Sequence, residues 1–184
     1  MTEGRADLHI HTSGSDGELT VEQVIDQALI LGLTAIAITD HNNVAPSLRA
    51  KEIVAKRRLD LEIITGAEIT LKGFRHLLAL NIEENLPFGL PLLEAISRIH
   101  DQNGLTVAAH PLVRLWPASL KTKELFSVIR SHDSRIYFDG FEVLNGSIKN
   151  GKAREFSDEY LSNLCAQVAG SDTHFRTIGK AVTV

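Results

Sequence analysis

The stretch ADLHIHTSGSDG, residues 6–17, places two histidines two positions apart in an otherwise apolar segment. Because side chains alternate across a β-strand, a strand here predicts that His9 and His11 share one face with Asp7. Leu8 and Ile10 are expected to face the other way, into apolar packing. Residues 13–17 are rich in serine and glycine, which predicts a turn. This turn would bring Asp16 close to the histidine pair. Paired imidazoles beside a carboxylate suit a divalent metal of the zinc, manganese or iron type.

Length and composition indicate a soluble globular protein. The 184 residues are 43% hydrophobic and 23% charged, and the formal net charge is -4. This length predicts a single domain over residues 1–184, and the net charge argues against a long nucleic-acid groove. The single cysteine, Cys165, excludes an internal disulfide, and core packing is its expected role. No membrane span or signal peptide is recognisable, so a cytoplasmic protein without a membrane partner is expected.

Predicted strands and helices alternate along the rest of the chain. Thr20 is expected to cap the first helix, with Gln23 as its reciprocal partner, and Gly32 to end it. Further helices are predicted over residues 45–58, 90–102, 120–131 and 149–163, and strands over 34–39, 61–65, 76–81, 105–109, 140–144 and 167–170. Residues 181–184 are also strand-like. This order predicts parallel β-α units.

Residues that can bind metals recur at or just after the carboxyl ends of these strands. They are Asp16, His41, Glu68, His110, Asp172 and His174. In a barrel of β-α units these ends share one face, and that face carries the active site. Because the chain is shorter than the ~250 residues of a full eight-unit barrel, the expected fold is α/β, a distorted, smaller-than-TIM β-α barrel of about seven strands. His100 and His132 lie in or near helices and are interpreted as surface or packing residues.

Six short motifs carry the candidate residues in order along the chain. They are DLHIH (7–11), SDG (15–17), TDHN (39–42), GAEI (66–69), AHP (109–111) and GSDTH (170–174). Together they resemble the ordered motifs of the PHP family, named for polymerase and histidinol phosphatase. The resemblance covers essentially the whole chain. It implies a distorted seven-stranded β-α barrel whose site of two or three metal ions hydrolyses phosphate esters.

The resemblance also implies which residues hold the ions, expected to be zinc, manganese or iron. The first position would be held by His9, His11, Glu68 and Asp172. Glu68 would bridge to a second position, which His76 and His110 complete, and Asp16, His41 and His174 would hold a third. Glu68, His110 and Asp172 are then also the candidate catalytic residues.

Four further residues in or next to these motifs are predicted to orient the ligands or to bind the substrate. One aromatic residue near them has two possible roles. Asp7 and Asp40 are expected to orient imidazoles, with a structural hydrogen bond as the alternative. Arg114 and Arg176 follow ligand motifs on loops of the predicted active face, where a guanidinium group would clamp a substrate phosphate. A solvated loop charge is the alternative for each. Trp116 either anchors its loop, the favoured interpretation, or stacks on a substrate base.

The predicted activity is metal-dependent hydrolysis of a phosphomonoester of a small metabolite or nucleotide. A metal-bridging hydroxide would attack phosphorus, so no covalent nucleophile is required. Three alternatives stay open: an exonuclease or oligonucleotide phosphodiesterase, a histidinol phosphatase, and a non-catalytic metal-binding interaction module. The small size and net negative charge favour a small phosphorylated substrate over nucleic acid.

Overall fold

The computed structural model describes residues 4–175 and 177–184, so the phosphate-binding role predicted for Arg176 lies outside the described residues. The described part forms an α/β fold of eight strands and five helices. In chain order these are β1 (Ala6–Ile10), α1 (Val21–Ile30), β2 (Ala35–Ile38), α2 (Ala45–Arg57), β3 (Glu62–Ile64), β4 (Gly66–Thr70), β5 (His76–Leu80), α3 (Leu92–Asp101), β6 (Leu105–Ala108), α4 (Thr122–Ile129), β7 (Gly140–Asn145), α5 (Lys152–Tyr160) and β8 (Ala166–Gly170).

The strands pair into two sheets, in the orders β1-β2-β3 and β4-β5-β6-β7-β8. Isolated bridges connect the sheets, one between Ile10 and Thr173 and another between His41 and Glu68. The described strands form no closed sheet, so the expected barrel is not confirmed. Their number is eight instead of about seven because β4 follows β3 as a separate strand.

β5 runs antiparallel to both of its neighbours, so the prediction of parallel β-α units alone was wrong here. The link from Thr70 to His76 is a tight turn in which Leu71 N donates to Arg75 O at 2.7 Å. So short a link cannot hold the crossover that a parallel pair needs. Leu77 pairs with Ala108 near the carboxyl end of β6. The first residue of β5 therefore lies at the same end of the sheet as the carboxyl ends of its antiparallel neighbours, β4 and β6.

Helix α1 begins at the predicted capping box. Thr20 N donates to Gln23 Oε1 at 2.9 Å, and Gln23 N donates to Thr20 Oγ1 at 3.3 Å. The buried face of the helix joins an apolar cluster with Ile36 and Ile38 of β2. Strand β4 was not predicted, and the other remaining elements match the predicted ranges to within three residues at each end. Residues 181–184 contain no described strand, and Thr183 forms a single bridge with Ala6.

The strand predicted at β1 is present, but its simple two-face alternation is not. The register with β2 shifts between Asp7 and Ile10, as a bulge does. As a result Leu8 packs in one apolar cluster with Val107 and Val168, whereas Ile10 packs in another beside α1. Both residues are in apolar packing, as expected, but they belong to two different clusters and do not share one apolar face.

The largest apolar cluster lies between the five-stranded sheet and helices α3, α4 and α5. Within it Phe141 and Phe156 stack with ring centroids 5.8 Å apart. Cys165 packs against this cluster, and burial raises the pKa of its thiol to about 11. None of the described helices combines the length and apolar character that crossing a membrane requires.

Candidate metal centre

Six imidazoles and three carboxylates converge where the carboxyl ends of the parallel strands meet the start of β5. Every member of the predicted ligand set is present: His9, His11, Asp16, His41, Glu68, His76, His110, Asp172 and His174. Most of these residues lie near the end of a strand or within four residues after one. Glu68 departs from the expectation because it lies in the middle of β4 instead of beyond a strand end.

Glu68 is the centre of the cluster, and only 1% of its surface is exposed. Its Oε1 atom lies 2.9 Å from His76 Nδ1 and 3.0 Å from His110 Nε2. Its Oε2 atom lies 3.3 Å from both His11 Nε2 and His41 Nδ1. The two oxygens thus face different imidazoles, which is the arrangement that a carboxylate bridging two cations requires.

His9, His11 and Asp172 form one corner of the cluster. The Nε2 atoms of the two histidines are 3.2 Å apart, and Asp172 Oδ1 lies 3.4 Å from each of them. Nitrogen and oxygen ligands bind zinc at about 2.0–2.2 Å, so ligands of one ion lie roughly 3–3.6 Å apart. These three atoms have the spacing that a shared ion would impose.

Asp16 lies at the centre of a second group of histidines in the cluster. Its Oδ2 atom lies 3.3 Å from His174 Nε2 and 3.5 Å from His41 Nε2, and its Oδ1 atom lies 3.5 Å from His11 Nδ1. His11 therefore faces two corners, one with each ring nitrogen. The predicted third position consists of Asp16, His41 and His174. In the structure His11 Nδ1 also lies next to this group.

Four sets of donor atoms lie close enough to share an ion, each set within 4.8 Å. They are His11, Asp16, His41 and His174; His9, His110 and Asp172; His9, His11 and Glu68; and His41, Glu68 and His76. These sets share most of their members with the three predicted positions, with two differences. His110 is grouped with His9 and Asp172, and His41 is also grouped with Glu68 and His76. The assignment of each residue to a particular ion therefore stays a prediction.

The donors fit divalent ions on chemical grounds. The Nδ1 atoms of His11, His41 and His110 are buried and have no hydrogen-bond partner among the residues that the structure describes. A buried ring nitrogen without a partner costs free energy, and a bound cation would satisfy such an atom. A mixed set of imidazole nitrogens and carboxylate oxygens suits zinc, manganese or iron.

Charge within the cluster shifts its pKa values. Burial alone would raise the pKa of Glu68, but the positive charges of His76 and His9 outweigh burial and hold it well below its ordinary value. Burial lowers the pKa of His11, yet hydrogen bonds with Asp172 and Glu68 outweigh that effect and raise it to about 9. Without an ion, protons on imidazoles thus balance the buried carboxylates. Metal ions would replace those protons.

Two residues of β7 that have no predicted role contact the candidate ligands. Glu142 Oε1 lies 3.1 Å from His9 Nδ1, and Asn145 Nδ2 donates to Asp172 Oδ2 at 3.1 Å. The available signal was a carboxylate within the apolar run Phe141–Leu144, at a position that a buried strand places in the interior.

The hydrogen bonds described for Asp7 and Asp40 differ from the expected contacts with imidazoles. Asp7 Oδ1 accepts from the backbone N of Ser171 at 2.8 Å. Asp40 accepts from the backbone N and the hydroxyl of Thr12 at 2.9 and 2.6 Å. Each carboxylate thus ties down a loop that carries ligand candidates. The residue that contacts an imidazole in the expected manner is Glu142.

The other singled-out residues lie at the rim or outside the cluster. Arg114 is exposed on the loop between β6 and α4, and Trp116 on the same loop lines the cavity above the cluster. His100 Nε2 hydrogen-bonds Asp139 Oδ2 at 2.9 Å, and His132 is exposed. The packing or surface role expected for these two histidines agrees with their positions.

The cluster opens into a cavity of about 480 Å³. Ligand candidates, including Glu68, His76 and His110, line one side of it. Trp116, Ile148 and Phe175 line it as well, together with Ser147. The cavity is therefore lined both by candidate metal ligands and by apolar side chains.

Comparison with known proteins gives a family and several relatives. The PHP domain family matches residues 7–180. An uncharacterized protein of Methanocaldococcus jannaschii is 28% identical over 80% of this chain and 85% of its own length. The 5′-3′ exoribonuclease Rnm of Salmonella typhimurium is 28% identical over 89% of this chain, which spans 55% of that enzyme. A phosphoribosyl 1,2-cyclic phosphate 1,2-diphosphodiesterase of Eggerthella lenta is 36% identical over 44% of this chain and 32% of the enzyme.

Among solved structures, a candidate metal-dependent phosphoesterase from Bifidobacterium adolescentis has the same fold, with a TM-score of 0.74 and 18% identity. The superposition covers 100% of this chain and 93% of that one. The two enzymes named above support a hydrolase, although this chain spans about half or less of each. The family match extends over nearly the whole chain and includes every candidate ligand. This chain therefore belongs to the PHP domain family.

Proposed function

We propose that the chain hydrolyses phosphomonoesters of small metabolites or nucleotides with the help of two or three divalent ions. The observation that carries the proposal is a cluster of nine candidate nitrogen and oxygen ligands, seven of which line one cavity. Its volume, about 480 Å³, is within the range of small-molecule sites, about 300–1,000 Å³. Relatives named as an exoribonuclease and a cyclic-phosphate diphosphodiesterase are consistent with phosphate-ester chemistry.

The residues of the chain contribute by holding the ions and the substrate. Glu68 joins the imidazoles on its two sides, and His110 and Asp172 complete the set that we assign to catalysis through contact with the ions. When bound, divalent ions supply a water of lowered pKa and positive charge against the phosphoryl oxygens. Buried carboxylates and fixed imidazoles keep the ligand atoms in place, so little reorganisation is needed as the reaction proceeds.

The wall of the cavity suggests where the organic part of the ester lies. Trp116 is 45% exposed and Phe175 is 70% exposed, and both line the cavity that holds the ligands. An organic group placed against these rings would cover apolar surface that water now contacts. Arg114, on the same loop as Trp116, is proposed to meet a phosphate oxygen from the rim.

An exonuclease that releases nucleotides from a chain end is the second candidate. The similarity to the exoribonuclease Rnm extends over 89% of this chain and favours it. Such an enzyme would use the same ions, but it would also have to bind several phosphates along a strand. The bounded cavity and the net charge of -4 favour the small substrate.

The deciding experiment offers one panel of substrates to the purified protein, loaded first with manganese and then with zinc. The panel contains nucleoside monophosphates, sugar phosphates, histidinol phosphate and short single-stranded oligonucleotides with a 5′-phosphate. We expect phosphate release from one class of monoester, lost in His9→Ala and retained in His132→Ala, a matched histidine variant outside the site. Shortened oligonucleotides without monoester turnover would establish the exonuclease instead. No turnover by protein with measured bound metal would contradict both proposals.

A further inference from the structure

We infer that Glu142 is a positioning residue of the metal centre, which fixes the ring of His9 and the backbone of His110 at the same time. The inference rests on the proposed function only in treating these histidines as metal ligands. Glu142 lies in β7 beneath the cluster, and only 1% of its surface is exposed. Both of its carboxylate oxygens are used, one toward each histidine.

The first contact sets the orientation of an imidazole. Glu142 Oε1 lies 3.1 Å from His9 Nδ1. Glu142 also accepts from the backbone N of His110 and from Asn145 Nδ2. Since the Glu142 oxygens act as acceptors in these contacts, a neutral His9 that binds an ion would keep its proton on Nδ1. The lone pair of His9 Nε2 is then directed toward His11 and Asp172, where an ion would bind.

The second contact stabilises a strained backbone. His110 has a φ of 29°, in a region that residues with a side chain rarely adopt. Its backbone N donates to Glu142 Oε2 at 2.5 Å, a charge-assisted hydrogen bond. This conformation places His110 Nε2 3.0 Å from Glu68 Oε1. Glu142 therefore helps to hold His110 where it reaches the central carboxylate.

Asn145 extends the same network to a third ligand. Its Nδ2 atom donates to Glu142 Oε2 and to Asp172 Oδ2, both at 3.1 Å. Its Oδ1 atom accepts from the backbone N of Ser147 at 2.9 Å, which fixes the amide orientation. Glu142 and Asn145 are three positions apart and would face opposite sides of a regular strand. The register of β7 shifts between Glu142 and Leu144, and this bulge lets both side chains reach the cluster.

The network thus unites His9, His110 and Asp172, which form one of the candidate ion-binding sets. These residues come from the ends of three different strands, and Glu142 and Asn145 of a fourth strand lie between them. A glutamine at position 142 would keep the shape but lose the charge and one acceptor. It could then not satisfy His9 Nδ1–H, the His110 amide and Asn145 together.

The test uses Glu142→Gln, with Glu62→Gln at the exposed first residue of strand β3 as the matched control. Cobalt(II) replaces the native metal, and its visible absorption spectrum reports ligand geometry independently of any substrate. We expect Glu142→Gln to weaken binding of one cobalt ion roughly 10- to 100-fold and to alter that spectrum. Glu142→Asp should recover part of the affinity. With an active substrate, the kcat of Glu142→Gln should fall by a larger factor than its KM changes. Glu62→Gln should match the wild type in every one of these measurements.

Wild-type cobalt affinity and spectrum in a folded Glu142→Gln protein would overturn the inference. Should that variant fail to fold, Asn145→Asp provides the second measurement. It places a third negative charge between Glu142 and Asp172, and the inference expects an altered spectrum from it too. An unchanged spectrum in Asn145→Asp would then count against the network. Because these readouts need no turnover, an inactive wild type would contradict the proposed function without affecting this test.

Discussion

Glu68 Oε1 lies 2.9 Å from His76 Nδ1, although the two residues belong to adjacent antiparallel strands and are not paired in register. Glu68 pairs with Leu78 in the middle of β4, while His76 begins β5. The return of the chain at the β4–β5 turn brings the start of β5 to the end of the sheet where the parallel strands finish. A histidine at the beginning of a strand thereby joins ligands that follow strand ends.

The first prediction concerns Glu68→Gln. Removing this charge leaves imidazoles on both sides without their shared carboxylate, so we expect the loss of at least one bound ion. Hydrolysis should fall by roughly a hundredfold or more, because the ions supply several kcal/mol of charge stabilisation. Metal analysis of dialysed protein and initial rates would measure both effects, with circular dichroism as the check on folding. Full activity of the metal-replete variant would contradict the bridging role.

Much of this site could be predicted because its ligands occupy positions that depend on local pattern. Strand–helix alternation places His41, His110 and Asp172 directly after buried apolar runs, and parallel strands bring such positions to one face. The capping box at Thr20 is equally local, since its two partners are three residues apart. Local patterns of this kind need no knowledge of the rest of the fold.

Other features depend on contacts between distant segments. The bulges in β1 and β7 arise from pairing with β2 and β8, and they decide which way Leu8 and Asn145 point. Counting alternate positions along one strand cannot reveal them. The same holds for Asp7 and Glu142, two buried carboxylates near the same histidine. Only the folded structure distinguishes the one that holds a backbone loop from the one that contacts the ring.

The second prediction concerns pH and the metal-free protein. The folded pKa of His11 is about 9 against an ordinary value of 6.5, so protonation of His11 stabilises the folded state. This stabilisation is fully present below pH 6.5 and is lost as the pH rises through about 9. The pKa of His110 is raised as well, which acts in the same direction.

We therefore expect the Tm of chelator-treated protein to fall as the pH rises from 6.5 to about 9. The Tm of metal-loaded protein should fall less over the same pH range, because the ion takes the place of the protons. Thermal scans across this range, with and without added manganese, would measure the difference. A metal-free Tm that stays constant or rises would contradict the assignment, and His11→Gln should reduce the slope.

The third prediction concerns Arg114→Ala. The side chain is exposed at the rim beside Trp116, so its proposed contact with phosphate acts in the bound ground state. A contact that stabilises the bound substrate and the transition state equally affects only binding. Its removal raises KM and leaves kcat largely unchanged. We expect KM to rise roughly threefold to tenfold, the effect of about 1 kcal/mol. Arg114→Lys should recover only part of the loss, and unchanged kinetics would make Arg114 a solvated surface charge.

The last prediction concerns Gly170, the residue that ends β8 directly against His9. A Cβ atom at this position would lie 2.4 Å from His9 Cβ, 2.9 Å from His9 N and 3.0 Å from Glu142 Oε1. Neither the Cβ nor the backbone of His9 can swing away as the tip of a long side chain can. Gly170→Ala must therefore displace β1 or β8, at a cost of about 1–3 kcal/mol in the free energy of unfolding.

The same displacement would move His9 relative to Glu142, so cobalt affinity should fall together with stability. Gly151→Ala is the matched control, since a Cβ there meets no atom within 4 Å. It should change the free energy of unfolding by less than about 1 kcal/mol and leave cobalt binding intact. Urea unfolding and cobalt titration of both variants would measure these effects. If Gly170→Ala bound cobalt like the wild type, the position of His9 could not depend on its close packing against β8.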